Sequence, residues 1–429
     1  MSKPGKNRLA LHWQILIAIG LAVIAGLLAG DHGAIFGVTF YSVFDFIGRL
    51  FLNALKMLIV PLIASSMIVG VAGIGDTEAL GRLGGRTLLF YAVTSLTAIA
   101  LGLAVINIVQ PGIVEGQPAG QMMALQAEGK TVASMIGDRD AHDIVEIFIR
   151  MVPDNVLSAA SDNGRILALI FFSLLFGFFI TRIGPVHGQM LISFWKGIFE
   201  VMTKMTEWVM SLAPIGVFGL VAKVVAKAGL AAAEPLALFA ACVLICLAIH
   251  LFVTLPLYIR VVTGLRPWSI YPAMAPALLT AFSTASSSAT VPVTLDCIEN
   301  RAGVSNRISS FVIPLGATIN MNGTALYECA AVLFIAQAYG IHMTLFSQFT
   351  IVFLALLTSV GVAGIPAASL VAIAVILTAV GLPPEAIGVL FVFDRILDMA
   401  RTAVNVAGDA TAAVIVAKLE GEKGILGQK

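Results

Sequence analysis

The sequence predicts an all-α polytopic membrane protein, and three observations lead to that fold class. Of its 429 residues, 59% are hydrophobic and 11% are charged, with a mean hydropathy of +0.99, which is too apolar for an aqueous globule. Several apolar runs are close to the length of about 20 residues that a helix needs to cross a bilayer. In the second half of the chain, a Ser- or Gly-rich interruption followed by a polar helix occurs twice.

Composition also argues against several classes of function. A net charge of +1 and a pI of about 7.7 give no basic surface for nucleic acid. The cysteines lie in apolar surroundings and are interpreted as reduced, small hydrophobic residues, and the histidines are too dispersed for a zinc site or a catalytic triad. The basic N-terminus precedes an apolar run of spanning length. We therefore expect a multi-pass protein of the inner (cytoplasmic) membrane with both termini in the cytoplasm.

The first half of the chain supplies the opening set of membrane segments. We predict them at residues 12–30, 46–74, 88–109, 144–152, 166–183, 191–218 and 236–262, with a polar external loop at 112–143. Asp45, Arg49 and Lys56 begin the second segment, and snorkelling accounts for their charges without any function.

Three hydroxyl side chains lie within about one helical turn of the third segment. They belong to Tyr91, Thr94 and Ser95. Hydroxyls in membrane helices usually bond to a neighbouring helix or to carbonyls of their own helix, and a role as ligands is the alternative.

The run at residues 273–293 is long enough to enter the membrane but has Ser286, Ser287 and Ser288 at its centre. Two half-helices that meet at a serine tip fit this pattern better than one continuous helix, since non-helical backbone at depth needs protein or a water-filled cavity around it. Such a tip offers amide and hydroxyl donors to a carboxylate of a ligand.

The next segment, at residues 307–340, is interrupted by Asn-Met-Asn-Gly-Thr at 320–324. Its carbonyl and amide oxygens are the hard ligands that Na⁺ prefers, and the alternative is a simple kink. Glu328 lies one turn beyond the interruption as a lone carboxyl in an apolar stretch. It is a candidate for reversible protonation, and the alternative is a permanently neutral, hydrogen-bonded carboxyl.

The arrangement then repeats, with a Gly/Ser/Pro-rich interior at residues 349–380 and a polar helix after it. Asp398, Arg401, Asn405 and Asp409 lie within about 60° of Asp394 around that helix. Ionisable groups at bilayer depth normally face a bundle interior or a water-filled path, so the stripe indicates a binding site, with an internal structural ion-pair network as the alternative. Duplicated broken segments point to a transporter site between the two tips.

The motifs that carry these features also carry a resemblance that covers nearly the whole chain. They are SSSATVPVT, PLGATINMNGTALYE, GIPAASL and DRILDMARTAVNVAGDA. The sequence resembles the dicarboxylate/amino acid:cation symporter family, which includes archaeal aspartate transporters and excitatory amino acid transporters. The resemblance implies symport of glutamate or aspartate with Na⁺ or H⁺, no cofactor, and a homotrimer. Each protomer would have eight spanning helices and two re-entrant hairpins and work as an inverted-repeat elevator.

In this family a transport domain moves against a fixed scaffold. The resemblance implies that residues 1–80 and 113–222 form the scaffold, the latter with the external loop, while 81–112 and 223–429 form the transport domain. Within the transport domain, hairpins are expected at 270–297 and 345–382, the broken helix at 307–340 and the substrate helix at 386–418.

The resemblance also implies roles for single residues. Asp398 would hold the α-amino group of the substrate, and Arg401 would pair with its side-chain carboxylate. The other substrate-binding residues would be Thr324, Thr402 and Asn405, with the tips contributing Ser286, Ser287, Ser288, Gly364, Ile365, Pro366 and Ala368. One sodium site would use Gly316, Asn320, Asn405 and Asp409, a second Thr318, Ser359 and Val360, and a third Tyr91, Thr94, Ser95, Asn320 and Asn322.

Departures from the family pattern bear on coupling. Residue 322 is Asn where sodium-coupled members usually have Asp, and Val362 stands where archaeal members have Thr. Ala285 replaces an arginine of archaeal relatives, and Arg395 supplies that charge from the last helix. Glu328 stands where proton-coupled members carry a proton, with Asp409 and Asp394 as lesser candidates. We therefore expect protons to replace some or all of the sodium.

Three other functions compete with this prediction. A purely sodium-coupled symporter differs only in Glu328, and a substrate-gated anion channel would conduct without accumulating substrate. A membrane enzyme has little support because Ser286, Ser287 and Ser288 lack a candidate base.

Overall fold

The computed structural model describes residues 11–30, 33–35, 38–72, 78–123, 125, 149, 152–161, 166–361 and 368–427. In this part of the chain, helices dominate. They are α1 (Leu11–Ala29), α2 (Phe40–Ala72), α3 (Glu78–Val109), α4 (Val156–Ser161), α5 (Ile166–Ile180), α6 (Pro185–Ser211), α7 (Ala213–Ala228), α8 (Ala233–Ile249), α9 (Leu255–Thr263), α10 (Ile270–Thr284), α11 (Ser287–Asp296), α12 (Asn306–Ile319), α13 (Asn322–Ala338), α14 (Leu345–Gly361), α15 (Ala368–Ala379) and α16 (Phe391–Leu419). Two short antiparallel pairs join β1 (Ala34–Ile35) to β2 (Val38–Thr39) and β3 (Ile113–Val114) to β4 (Gln117–Pro118).

Four helical stretches of the described chain are long and apolar enough to cross a membrane, or five if α6 and α7 count as one span bent by 53°. The four stretches are Phe40–Ala72, Leu83–Val109, Ala233–Thr263 and Asn306–Ala338. The all-α membrane class is therefore confirmed. The expected number of eight spans stays a prediction.

The helices pack as two groups. The first, which we call the α2 group, consists of α1, α2, α5, α6 and α7, and the second, the α16 group, consists of α3 and α8 to α16. Within the α2 group, glycines permit very close packing, since a Cβ on Gly216 would lie 2.1 Å from Cγ of Phe51. A Cβ on Gly219 would lie 2.8 Å from Ile47. Both positions hold α7 tightly against α2.

Two breaks shape the α16 group. Asn320 and Met321 leave helical geometry between α12 and α13, with ψ angles of 74° and 53°. Between α10 and α11, Ala285 adopts a left-handed φ of 52° and Ser286 caps α11 by accepting a hydrogen bond from the amide of Ala289. Both breaks fall where the sequence predicts them.

Several boundaries differ from the prediction. Helix α3 begins ten residues before the expected residue 88, because its polar first turns are held by an ion pair between Arg86 and Glu420. The segment predicted at 191–218 is two helices, since the chain bends at Leu212 before Pro214. The last helix begins at Phe391 and not at 386, because residues 384–390 form a 3₁₀ helix.

Other predictions fall on residues outside the described ranges. The second tip at 362–367 is outside, as are most of the external loop and of the segment at 144–152. The part of the loop that is described includes the β3–β4 pair.

Candidate functional site

Arg401 is the centre of a buried charged cluster on α16. Its side chain is fully buried, and its Nη2 donates hydrogen bonds to Oδ1 of Asp398 at 2.9 Å and Oδ1 of Asp394 at 3.2 Å. The guanidinium carbon lies 3.8 Å from the ring centre of Tyr327 on α13, whose hydroxyl donates to the same oxygen of Asp394. The Nε and Nη1 atoms of Arg401 have no hydrogen-bond partner. Two nitrogens of a buried guanidinium are thus left as donors for a ligand.

A second arginine completes this cluster. Arg395 is buried, and its Nη1 lies 3.8 Å from Oδ2 of Asp398. Two guanidinium groups therefore face two carboxylates, those of Asp394 and Asp398, and the formal charges of these four side chains cancel. Neutrality favours burial, because an uncompensated charge in a low-dielectric interior is costly.

The break between α12 and α13 is tied to α16 by Asn405. Its Oδ1 accepts hydrogen bonds from the backbone amides of Gly323 at 2.8 Å and Thr324 at 3.4 Å, and its Nδ2 donates to the hydroxyl of Thr324. Only glycine fits at 323, because a Cβ there would lie 2.8 Å from the carbonyl oxygen of Arg401. The amides freed by the break are satisfied by a side chain, while helix-terminal carbonyls remain as candidate cation ligands.

Asp409 lies on one side of this break, next to Asn320, Gly316 and Tyr91. Its Oδ1 accepts a hydrogen bond from Nδ2 of Asn320 at 2.9 Å. A Cβ on Gly316 would lie 2.3 Å from that oxygen and 2.8 Å from the hydroxyl of Tyr91, which donates to the carbonyl of Val312. The carbonyl edge of Asn320 has no hydrogen-bond partner. The carboxylate of Asp409 and the hydroxyl of Tyr91 thus lie beside Gly316, and oxygen ligands of these kinds suit Na⁺.

Asn322 contributes an amide to the same region. Its Oδ1 accepts from the amide of Gly323, and its Nδ2 has no hydrogen-bond partner. The side chain fits because residue 408 is glycine, where a Cβ would lie 2.4 Å from that nitrogen. Where the family pattern has a carboxylate, this site holds a neutral group.

Glu328 is fully buried on α13 and faces α14. Its Oε2 accepts a hydrogen bond from the hydroxyl of Thr358 on α14 at 2.8 Å, and its Oε1 has no partner. A buried carboxyl with an unpartnered oxygen and no cation in hydrogen-bond range among the described side chains is disfavoured in its charged form. This environment suits a carboxyl that binds a proton.

Other hydroxyls of the predicted sites bond within their own helices. Thr94 donates to the carbonyls of Phe90 and Tyr91, and Thr402 donates to the carbonyl of Asp398. Thr318 and Ser359 donate to Leu315 and Leu356. Ser95 and Ser287 are buried, whereas Ser288 is exposed. The expectation that the α3 hydroxyls bond to their own helix or to a neighbouring one therefore holds for Thr94, which bonds within α3, and for Tyr91, which bonds to Val312 of α12.

The second tip cannot be placed with the rest. Gly364, Ile365 and Pro366 lie outside the described residues, and the side chains of Val360 and Ala368 are also outside them. Their assignment to substrate or sodium stays a prediction.

Two contacts of the site were missed by sequence reasoning. Tyr327 stacks on Arg401, and Thr358 binds Glu328. Tyr327 sits beside Glu328 in the quoted motif, which was the available signal. Thr358 carried none, because nothing in the sequence aligns α14 with α13 in register.

Comparison with known proteins decides the family. The model of the sodium:dicarboxylate symporter family matches residues 11–419. The chain belongs to this family. As a member of the sodium:dicarboxylate symporters, it is a secondary transporter and not an enzyme.

Three relatives span most of this symporter. The proton/glutamate-aspartate symporter of Escherichia coli (strain K12) is 34% identical over 413 residues, which cover 96% of this chain and 93% of the relative. The proton/sodium-glutamate symport protein of Geobacillus stearothermophilus is 35% identical over 416 residues, with 97% and 96% covered. The neutral amino acid transporter B(0) of Bos taurus is 34% identical over 439 residues, with 95% and 79% covered. Because these identities are nearly equal, substrate must be argued from the site.

Proposed function

We propose that this protein is a secondary active symporter that imports the acidic amino acids aspartate and glutamate together with cations, with protons replacing some or all of the sodium. The observation that carries the proposal is Arg401, a fully buried guanidinium with Nε and Nη1 unpartnered. A buried guanidinium with free donors pairs best with a carboxylate, and a bidentate pair with Nη1 and Nη2 forms when Asp398 gives up its contact with Nη2.

The neighbouring acid selects among carboxylate substrates. Asp398 lies 2.9 Å from Arg401 and can exchange that contact for the ammonium of an amino acid while Arg401 takes the side-chain carboxylate. The substrate thereby replaces one ion pair by two. A plain dicarboxylate would bring a second negative charge towards Asp398, and a neutral amino acid would leave the guanidinium edge empty.

The remaining contacts are proposed from the family pattern and the local geometry. Ser286, Ser287 and Ser288 with the 364–368 tip cradle the α-carboxylate, a negative group that the N-terminus of a helix such as α11 favours. Thr324, Thr402 and Asn405 add hydrogen bonds. Support comes from Asn405, which already joins α16 to the break at Gly323 and Thr324.

Sodium is proposed to bind beside Asp409. The carboxylate of Asp409, carbonyls of Gly316, Asn320 and Asn405, and the unpartnered carbonyl edge of Asn320 provide oxygens at the break. A second set at Thr318, Ser359 and Val360 uses backbone. A third set around Tyr91, Thr94, Ser95 and Asn322 is weakened by the neutral amide of Asn322, since neutral oxygens give a monovalent ion less Coulomb energy.

Proton binding is proposed at Glu328. The Arg401 cluster is neutral by itself, whereas Asp409 and Glu328 have no cation in salt-bridge range among the described residues. A bound acidic amino acid adds one further negative charge. Neutrality of the loaded site then requires a cation for each of these three charges, and a proton on Glu328 supplies one without a metal-binding shell.

The larger architecture is proposed along with this chemistry. The α16 group is the moving transport domain, and the α2 group is the scaffold of a homotrimer in the inner membrane. The packing of the helices into two groups supports this division, as does the position of the buried charged side chains of the described residues, which lie in the α16 group.

Uptake into proteoliposomes tests the substrate assignment. We expect labelled aspartate and glutamate to accumulate under an imposed cation gradient and to compete with each other. Succinate and alanine should compete at least about tenfold less well, the factor that corresponds to about 1.4 kcal/mol. If succinate or alanine competes better than aspartate, the assignment is wrong.

A further inference from the structure

The ends of the helices in the α16 group can be ordered along the membrane normal. Helices α2 and α3 both contain stretches able to span a membrane and follow one another in the chain, so we take α3 to run back, from the end of α2 at Ala72 towards that at Phe40. The start of α3 meets the end of α16, where Arg86 donates to Glu420 and to the carbonyl of Leu419. Helix α16 is therefore antiparallel to α3. Its first residue, Phe391, belongs to the same side of the membrane as the Phe40 end of α2, which we call the outer side.

Two contacts between the groups place the start of α16 well inside α2. The ring of Phe391 packs edge-on against Phe51 of α2, with ring centres 5.7 Å apart. Nζ of Lys56 lies 2.9 Å from Oε1 of Glu385, in the 3₁₀ segment just before α16. Phe51 and Lys56 lie well inside α2, which spans Phe40–Ala72. At 1.5 Å per residue they are about 16 Å and about 24 Å from its outer end.

The α16 group is therefore displaced towards the inner end of α2, which the basic N-terminus places in the cytoplasm. The part of α2 that contacts the α16 group is held firmly in place, because Gly216 and Gly219 let α7 pack directly against Phe51 and Ile47. Glu385 thus meets a lysine whose height on the scaffold is fixed.

Lys56 needs a partner at that height. It lies near the middle of α2, and an ammonium at bilayer mid-depth is costly unless it is paired or reaches water. Its side chain is one-quarter exposed, and the carboxylate of Glu385 provides the partner in the displaced position. If the α16 group moved outwards by several helical turns, Glu385 would leave and the pair would break.

We propose that the Lys56–Glu385 ion pair is a positioning contact that holds the transport domain in its inner position and sets the ratio of inner to outer states. This inference rests on the proposed movement of the α16 group along α2. From the sequence alone, snorkelling accounts for the charge of Lys56. The proposal gives this residue a role in the transport cycle. Neither residue touches the substrate cluster around Arg401.

Single-molecule energy transfer between the two groups measures this ratio. Dyes are attached at Val38→Cys on the α2 group and Gln117→Cys on the α16 group, both exposed near the outer ends of α2 and α3. The native cysteines are all buried and do not interfere with labelling. Labelled chains are mixed with excess unlabelled chains, reconstituted into liposomes, and assayed for aspartate uptake in parallel.

The variants are Lys56→Gln, Glu385→Gln and the charge swap that combines Lys56→Glu with Glu385→Lys. Each neutralising variant should shift occupancy towards the outer state by about two- to fivefold, the range of a partly exposed ion pair. The swap should restore the wild-type ratio to within about twofold. Lys204→Gln is the matched control, because Lys204 pairs with Glu207 at 2.7 Å within α6 and joins no two groups. It should leave the ratio unchanged.

The outcomes distinguish failure of the positioning role from failure of the proposed symport function. If two distance states are seen and their ratio in Lys56→Gln or in Glu385→Gln equals that of the wild type, the positioning role is overturned. The proposed symport would remain intact. Failure of the swap to restore the ratio would also overturn it. A single distance state in active wild-type protein under all substrate and ion conditions would remove the movement itself. Absence of wild-type uptake would instead contradict the proposed function.

Discussion

At the residue scale, the proposed substrate specificity depends on Arg401. Its contacts with Asp394, Asp398 and Tyr327 fix the guanidinium in place, so that binding need not order a flexible side chain. Two of its nitrogens stay without partners in a fully buried position. Preorganisation of this kind reduces the entropic cost of binding.

Replacement of Arg401 should change the substrate. Arg401→Cys is expected to abolish aspartate and glutamate uptake, because their side-chain carboxylate would be buried without a partner at a cost of about 3–5 kcal/mol. Uptake of small neutral amino acids should appear. Arg401→Lys keeps the charge but loses the bidentate geometry, so half-maximal uptake of aspartate should require at least about tenfold more substrate. Labelled uptake in proteoliposomes measures all three, and robust aspartate uptake by the Cys variant would refute the role.

Substitution of Gly316 by alanine tests the cation site next to Asp409. A methyl group at 316 would meet Oδ1 of Asp409 at 2.3 Å and the hydroxyl of Tyr91 at 2.8 Å, so Gly316→Ala must displace both. Such overpacking costs about 1–3 kcal/mol. In wild-type protein, sodium binding should raise Tm, and in the variant that rise should be lost.

The control for this substitution is Gly70→Ala, since a Cβ on Gly70 of α2 would meet nothing within 4 Å. It should keep the sodium-dependent rise in Tm. The same rise in Gly316→Ala would show that sodium does not use this pocket.

At this scale the sequence predicts which polar residues matter better than it predicts what they touch. The helical spacing of Asp394, Asp398 and Arg401 places them on one face, and burial of that face follows from the apolar composition. The stacking of Tyr327 depends on the register between α13 and α16, which no local pattern encodes.

At the scale of elements, the breaks are the most predictable features. Consecutive serines or Asn-Met-Asn-Gly cannot continue an apolar helix without leaving polar groups in lipid, so both interruptions were evident from composition. Helix ends were less predictable. The bend at Leu212 and the π-helical turn at His250–Thr254 depend on packing against neighbouring helices.

The prediction at this scale concerns the two tips. The second hairpin, around residues 361–369, has few large side chains to lock it, and we expect it to be the extracellular gate. A disulfide between Ser288→Cys and Pro366→Cys should stop transport, and reduction should restore it. Each single-cysteine variant is the control under the same oxidising conditions. Continued turnover with the link intact would exclude this gate.

At the scale of the whole molecule, charge distribution links the fold to transport. The α16 group contains the buried acids and arginines, while the α2 group presents a large apolar surface that includes Phe194, Val201 and Trp208 on α6. The duplicated hairpin and polar helix predicted this asymmetry from the sequence. The height at which α16 meets α2 could not be predicted, because under the proposed movement one sequence adopts more than one such position.

Coupling is also a property of the whole molecule, because the ions must cross with the substrate. Glu328 connects the two, since it lies one turn after Thr324 and bonds to Thr358 on the arm of the second hairpin. Protonation there would neutralise a buried charge before the hairpin closes. Asn322 lowers the charge of the third cation set in the same direction.

The most direct test is uptake of labelled aspartate into proteoliposomes with an inward proton gradient in sodium-free buffer. Wild-type protein and Glu328→Gln are compared, with Glu234→Gln, an exposed acid at the start of α8, as the control. The account predicts that wild type and the control accumulate aspartate and that Glu328→Gln does not. Absolute dependence on sodium, with no response of the wild type to the proton gradient, would contradict it.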